Sequence, residues 1–478
     1  MPFPGLWSMV RASDEECALE ISCSRLVTLL LAGFGASVVN AQAVDQGPPP
    51  TVIVDIHAIG FEALQALKAL PEVHWSAEFG NELLLGVDPA SLDDWLAKPR
   101  VRAGLGAMLP DEILVRDHVC AHQSLQPAVG VVGGYEILRE PPMVVRYAQR
   151  NGLFAQALPE SRVFAREIAN EAVQRAVRGA EPAVARIVAR VDAERWFTTM
   201  SELAAINRNS FSPALVTARD YIHTQFSAAN LTLESFSFSL ANITSCTPTP
   251  PAITITNPIG RKRGDTLPDE WIVVGAHYDS RNDSRCDGTG APQPGANDNA
   301  SGCAGVMELA RVFTNVTTAR SILFMCYSGE EQGLVGSRRY VEALQANGDI
   351  ARVKHMINLD MIGYAQTTTL NARIDTNLAN QFLLMDYSAA AATYAPELSL
   401  ISSTNAGQGS DHYWFLQAGV PAMFTWENGA SIYPHYHRST DVPANMTRAR
   451  PLAGGILKMD AAVLAGAAGL TGFADGFE

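Results

Sequence analysis

Two continuous apolar runs constrain this chain more than any other feature. Trp271–Ala276 reads WIVVGA and Ser321–Tyr327 reads SILFMCY. Neither alternates polar with apolar, so each suits a strand covered on both faces, the usual state of a strand in a parallel sheet. Met356–Met361 and Val420–Trp426 are further strand candidates. Val306–Phe313 and Leu334–Leu344, which lie between them, carry apolar residues at helical spacing. Strands alternating with helices predict an α/β domain, in which a central mixed, mostly parallel sheet lies between helices.

Upstream the pattern changes. Leu26–Val39 (LVTLLLAGFGASVV) is apolar, follows Arg25 and precedes Ala41-Gln42-Ala43. It is too short to span a bilayer comfortably but suits a signal peptide over residues 1–43, cleaved after Ala43. The expected location is therefore extracellular or periplasmic. Asp14, Glu15, Glu16 and Glu20 make the leading segment too acidic for a signal n-region, which points to a true start downstream of Met1. Export permits disulfides. Cys286 and Cys303 flank one loop and are the expected pair, while Cys326, inside an apolar run, is expected to be a buried thiol.

A Pro-rich stretch, Gln46–Pro50, opens a small α/β region over 44–165. Its elements are a strand at Thr51–Ile56, a helix at Phe61–Leu70, a second apolar run at Leu83–Val87 and a Ser-capped helix at Ser91–Leu96. It is either a pro-segment or a permanent accessory domain. Residues 160–200, rich in Ala, Arg and Glu, read as helix, and the large domain occupies 190–472.

Composition narrows the function. At 47% hydrophobic and 18% charged the chain is globular, not disordered. Lys+Arg 35 against Asp+Glu 49 gives a net charge of −14, a poor basis for holding nucleic-acid phosphates. No apolar run reaches 18 residues, so no stable membrane association is expected. No partner chain is implied, and a monomer is the default expectation.

The chemistry lies just beyond the strands, where open α/β sheets place their sites. Trp271–Ala276 ends in His277-Tyr278-Asp279-Ser280: His277 is either structural or a metal ligand oriented by Asp279. Gly295–Gly302 (GANDNASG) offers Asp298, as a turn or N-cap residue or as a carboxylate bridging two cations. Ser321–Tyr327 runs into Glu330-Glu331, a solvated pair at a helix start or two acids dividing labour, one on a metal and one taking a proton from water. Asp360 stands inside an apolar run and needs a partner, either a metal or a Lys or Arg. His435, His437 and Asp441 follow in HYHRSTD, and His412 in SDH reads as structural. A nitrogen and oxygen ligand set without thiolates suits zinc.

In order, HYDS, GANDNASG, GEEQGLVGS, LDMIGY, SDHYWFLQAGVPA and HYHRSTD resemble the motifs of di-zinc aminopeptidases of the aminopeptidase Y and bacterial leucyl aminopeptidase type, over roughly 190–470. The resemblance implies a zinc-exopeptidase α/β fold, peptide substrates and two zinc ions. It implies that Asp298 bridges the zincs, that Glu331 and His437 complete one metal's ligands, and that His277 and Asp360 complete the other's. Glu330 would be the general base, Asp279 would orient His277, and Met361 would line the pocket for the first side chain. The bacterial leucyl enzymes carry a tyrosine shortly before the Ser-Asp-His segment that helps hold the oxyanion. Asn405–Gly409 contains none, so no oxyanion side chain is assigned. A cyclase acting on N-terminal Gln, a carboxypeptidase or deacylase, and a non-enzymatic binding module on the same scaffold are the rival expectations.

Overall fold

The computed structural model describes residues 47–116, 127–151, 155–168, 179–241, 243, 249–281, 292–407, 409–428 and 433–473. The expected signal peptide with its cleavage site, and Cys286, lie outside these residues.

A thirteen-stranded mixed sheet organises the described residues. In chain order its strands are β1 (Pro50–Asp55), β2 (Val73–Gly80), β3 (Glu82–Val87), β4 (Val101–Ala107), β5 (Val163–Ile168), β6 (Thr232–Leu240), β7 (Ile253–Lys262), β8 (Leu267–His277), β9 (Arg320–Tyr327), β10 (Val353–Leu359), β11 (Leu370–Asp375), β12 (Leu398–Ser403) and β13 (Ala422–Glu427). Side by side they run β6-β7-β9-β8-β10-β13-β11-β12-β5-β2-β3-β1-β4. The four strands β9, β8, β10 and β13 are parallel to one another. Antiparallel pairs flank them, β7 against β9 on one side and β11 against β13 on the other.

The apolar runs are continuous because these strands are covered twice. In β8, Ile272, Val274 and Ala276 enter the core on one face, and Trp271 and Val273 that on the other. β9 divides in the same way, Ile322, Phe324 and Cys326 against Leu323, Met325 and Tyr327. This is the period of two expected of a pleated strand. The first face packs against α1 (Ala193–Ala204), α2 (Ser301–Val312) and α5 (Ala449–Ala468). The second packs against α3 (Val335–Asn347) and α4 (His412–Gln417).

α5 is long and apolar enough to cross a membrane, yet 14 of its 20 residues are buried in the fold. One of them is Asp460, whose carboxyl accepts from Thr425 Oγ1 at 3.0 Å. Burial pushes it up to about 8, with the Thr425 bond opposing. A carboxyl raised in the fold binds a proton that the unfolded chain has already lost. Stability from this group is therefore full below about pH 4 and falls as pH rises towards 8. Asp460→Asn keeps an acceptor without the charge. It is expected to raise the melting temperature by several degrees at pH 8 and to leave it unchanged at pH 3, as differential scanning calorimetry would read.

Two expectations need correcting here. Of the helix expected over 160–200, Val163–Ile168 is instead strand β5, and the helices among the described residues are Pro182–Val188 and α1. Pairing overrides composition: β5 lies between β12 and β2. Its Arg166 meets Glu78 of β2 with two bonds of 2.8 and 3.0 Å, a cross-strand ion pair that serves a sheet as well as a helix. The disulfide also differs. Cys303, in the first turn of α2, is bonded to Cys326 of β9, with 6.0 Å between the Cα atoms. The sequence reading looked for a loop-flanking pair and missed that the inward face of β9 meets the start of α2.

Candidate metal centre

The strand ends converge as the α/β pattern requires. His277 ends β8, the Glu330-Glu331 pair follows β9 and Asp360 follows β10. Asp298 lies three residues before α2 in non-helical backbone. His437 comes in from the segment before α5, with φ at 54°. All six side chains are at least 95% buried.

Their polar atoms face one another. His277 Nε2 stands 3.2 Å from Asp298 Oδ1 and 3.4 Å from Asp360 Oδ1. His437 Nε2 stands 3.1 Å from Asp298 Oδ2 and 3.4 Å from Glu331 Oε2. Asp298 thus turns one oxygen to each histidine. Glu330 lies between, 3.8 Å from His277 Nε2, and neither of its oxygens accepts a hydrogen bond among the described residues.

Nitrogen and oxygen ligands of zinc at about 2.0–2.2 Å in a tetrahedron lie about 3.3–3.6 Å apart, close to the four separations measured. Charge points the same way. Asp279, Asp298, Glu330, Glu331 and Asp360 are gathered in one buried place, which is costly without cations. Burial and the neighbouring Glu331 and Asp360 push Glu330 well above the carboxylate range, against the pull of His277. Burial opposes charge on His277, but Glu330, Asp360, Asp279 and Asp298 outweigh it and hold the ring well above its usual value. The residues fit a pair of small divalent cations.

Behind the ligand atoms lies a frame of hydrogen bonds. Asp279 lies 3.6 Å from His277 Nδ1, while its backbone carbonyl is nearer, at 3.2 Å. Donation from Nδ1 to that carbonyl leaves the Nε2 lone pair facing the acids, the tautomer a metal needs. The Asp279 carboxylate accepts from Ser210 Oγ at 2.7 Å and from the N–H groups of Glu330 and Glu331 at 3.3 and 3.2 Å. It therefore holds the acid pair as well as standing beside the histidine. Asp360 Oδ2 accepts from Ser410 Oγ at 2.7 Å.

Several residues that the sequence left without a role complete the frame. Asn297 and Asn299 tie GANDNASG to LDMIGY. Asn297 Oδ1 accepts from Gly363 N, and Asn299 Oδ1 accepts from Gly302 N and Met361 N. Gly302 must be a glycine, since a Cβ there would stand 2.3 Å from the Leu359 carbonyl. Asp441 accepts from the N–H groups of Asn297 and Asp298, and Glu427 accepts from Asn297 Nδ2 and Tyr364 N. Arg208 is fully buried, and its guanidinium donates to the carbonyls of Tyr278, Leu203, Pro294 and Gly295. It joins the end of β8 to the loop bearing Asp298. The alternation of Asn and Asp in GANDNASG was a visible signal, whereas a single Arg in a helix-to-loop segment offered none.

Arg281 also reaches the site. Its Nη2 is 2.6 Å from His437 Nδ1 and its Nε 3.3 Å from Glu331 Oε2. A guanidinium only donates, so this contact uses the Nδ1 lone pair. A cation at Nε2 would require Nδ1 to carry the proton and Arg281 to turn aside. Met361 is buried in the main core at φ 53°. His412 stacks on Phe424, and burial lowers it to about 3. His435 bonds Thr440 Oγ1 instead of the cluster.

A mixed sheet between helices, with histidines and carboxylates converging at its parallel strand ends, is an α/β fold with a candidate metal centre. Residues 257–454 match the family described as peptidase family M28. A stretch of 198 residues is 33% identical to aminopeptidase YwaD of Bacillus subtilis (strain 168) and covers 41% of each chain. A probable zinc metalloprotease of Pyrenophora teres f. teres is 40% identical over 111 residues, 23% of each chain. The chain spans between 22% and 60% of the length of the curated relatives it matches. Among solved structures, BSAP, a zinc aminopeptidase from Bacillus subtilis, aligns with a TM-score of 0.50 at 19% identity, over 58% of this chain and 96% of that one. The LapA aminopeptidase of Legionella pneumophila aligns with a TM-score of 0.50 at 19% identity, over 75% and 99%. At that identity the likeness is one of fold.

Proposed function

We propose that this chain is an exported aminopeptidase that removes N-terminal residues from peptides and uses two zinc ions. The observation that carries the reading is the Asp298 carboxylate, with one oxygen 3.2 Å from His277 Nε2 and the other 3.1 Å from His437 Nε2. Asp298 would be shared, His277 and Asp360 would hold one ion, and Glu331 and His437 the other. When bound, zinc supplies Lewis acidity and brings the pKa of water towards neutrality.

The chain's own residues do the rest. Glu330, with both oxygens unused by hydrogen bonds, takes the proton of the attacking water and returns it to the leaving amine. Asp279 holds the Glu330-Glu331 backbone and stands beside His277. Arg208 and Asp441 keep the Asp298 loop against the end of β8. The excess of carboxylates favours a free, charged α-amino group, which supports exopeptidase selectivity. Met361, next to Asp360, is assigned to the wall that meets the first side chain. The Cys303–Cys326 disulfide supports export, since such bonds persist in oxidising compartments.

The test is release of p-nitroaniline from leucyl-p-nitroanilide by the purified protein, before chelation, after it, and after zinc is restored. Activity that falls at least a hundredfold on chelation and returns with zinc is the expected result. Metal-loaded protein that is inert on this and other free-amino substrates, but cleaves blocked peptides from the carboxyl end or closes N-terminal Gln, would replace aminopeptidase with one of the rivals.

A further inference from the structure

We propose that the described residues of 47–168 are a fixed part of the catalytic unit, and that Gln156 among them positions Asn405, in the segment that leads to Ser410 beside Asp360. The second half rests on the reading of Asp360 as a metal ligand, whereas the first half does not.

The large sheet continues through the junction. β5 pairs antiparallel with β12, from Leu400↔Ile168 to Ser402↔Arg166, and parallel with β2, from Glu78↔Val163 to Gly80↔Arg166. Without β5, β12 would be a bare edge strand carrying unpaired backbone groups. Its Ile401 is fully buried and belongs to the core built by Phe79, Tyr135 and Phe164. A Cβ on Gly80 would already stand 2.9 Å from the Ile401 side chain, so the two surfaces meet as closely as a core does.

A buried charge makes the junction costly to open. Arg373 of β11 has no exposed surface. Its guanidinium lies 3.9 Å from the Tyr135 ring centre and 4.9 Å from that of Trp426. It donates to the Gly133 carbonyl at 3.1 Å and to Asp375 at 3.1 Å. Tyr135 and Gly133 come from the N-terminal region. Withdrawing it would strip one stacking face and one acceptor from a cation that the catalytic half keeps inside.

The contacts also lead to the site. Phe164 O accepts from Ser403 Oγ at 2.8 Å and from Asn405 Nδ2 at 2.9 Å. Gln156 Nε2 donates to Asn405 O at 2.8 Å, and a Cβ on Gly407 would come within 2.3 Å of that same nitrogen. Three residues on, Ser410 Oγ donates to Asp360 Oδ2 at 2.7 Å and accepts from Asn358 Nδ2 at 2.8 Å. Gln156 therefore holds Asn405, in the segment that leads to the Ser410 beside a proposed ligand. β5 itself stands four strand spacings from β10, about 19 Å to the side. That is the place of a brace, not a plug.

The experiment inserts a specific protease site between Ile168 and Pro182 and cuts the folded, full-length protein. The two pieces are expected to elute together in native buffer, to unfold in one transition and to keep activity within about twofold of the uncut chain. Separation of the N-terminal piece, leaving a folded and active remainder, would overturn the fixed-unit claim. Gln156→Ala and Gln156→Glu, which lacks the donor, are each expected to weaken zinc binding about three- to tenfold in a chelator competition, with the melting temperature of the chelated protein little changed. Unaltered zinc affinity in both variants would overturn the role of Gln156. A wild-type protein that takes up no zinc would sink the metal reading and the Gln156 claim together, and would leave the elution result to stand or fall alone.

Discussion

Glu330→Gln is expected to lower kcat by about two to four orders of magnitude, the range that a positioned acid–base group contributes, while the zinc content per chain stays that of wild type. Glutamine keeps the shape of the side chain and cannot accept a proton. Metal binding should survive because the four ligand separations of 3.1–3.4 Å run through Asp298, Glu331, Asp360 and the two histidines, not through Glu330. KM should change little, since the backbone N–H of residue 330 remains on Asp279. Steady-state kinetics together with elemental analysis decides the matter. Loss of both activity and zinc would make Glu330 a ligand, and unchanged turnover would end its assignment as the base.

Asp298→Ala should have the larger effect on metal. It removes an oxygen from each histidine's neighbourhood at once, so zinc content should fall by more than half and activity should drop below detection. A residue important only for folding would also abolish activity, so stability has to be read as well. Wild type should gain melting temperature on zinc addition, because a ligand that binds only the folded state stabilises it by mass action. In Asp298→Ala that gain should vanish. The chelated variant should be no less stable than chelated wild type, since one carboxylate has left a crowded, buried set. A variant that melts much lower without metal would point to a structural role for Asp298.

The half of the chain that bears the cluster was legible from sequence because its physics is local. Burial on both faces forced continuous apolar runs in β8 and β9, and the chemistry followed directly at the strand ends. His277, Asp298, Glu330, Glu331, Asp360 and His437 were all singled out, and the fold brings all six together. What escaped was non-local. Arg208 acts through carbonyls from segments up to 87 positions away. The bond from Cys303 to Cys326 joins residues whose proximity depends on how α2 sits on β9. β5 looked helical by composition and became a strand because β12 and β2 both needed a neighbour. Asp279 was expected to serve His277, and its bonds to Glu330 and Glu331 could not be seen before the two strand ends were laid side by side.

α5 has a consequence for how the protein is made. Residues 449–468 fill the face of the sheet that β8 and β9 began well over a hundred positions earlier, and they pack there with α1 and α2. A nascent chain that has emerged only as far as His437 would hold every proposed ligand and still expose the apolar side of its central strands. Synthesis proceeds at roughly 5–20 residues per second, so that incomplete state lasts seconds, during which a chaperone has a surface to hold. Ribosome stalling or a frameshift just after His437 should therefore give an aggregation-prone polypeptide rather than a weakened enzyme.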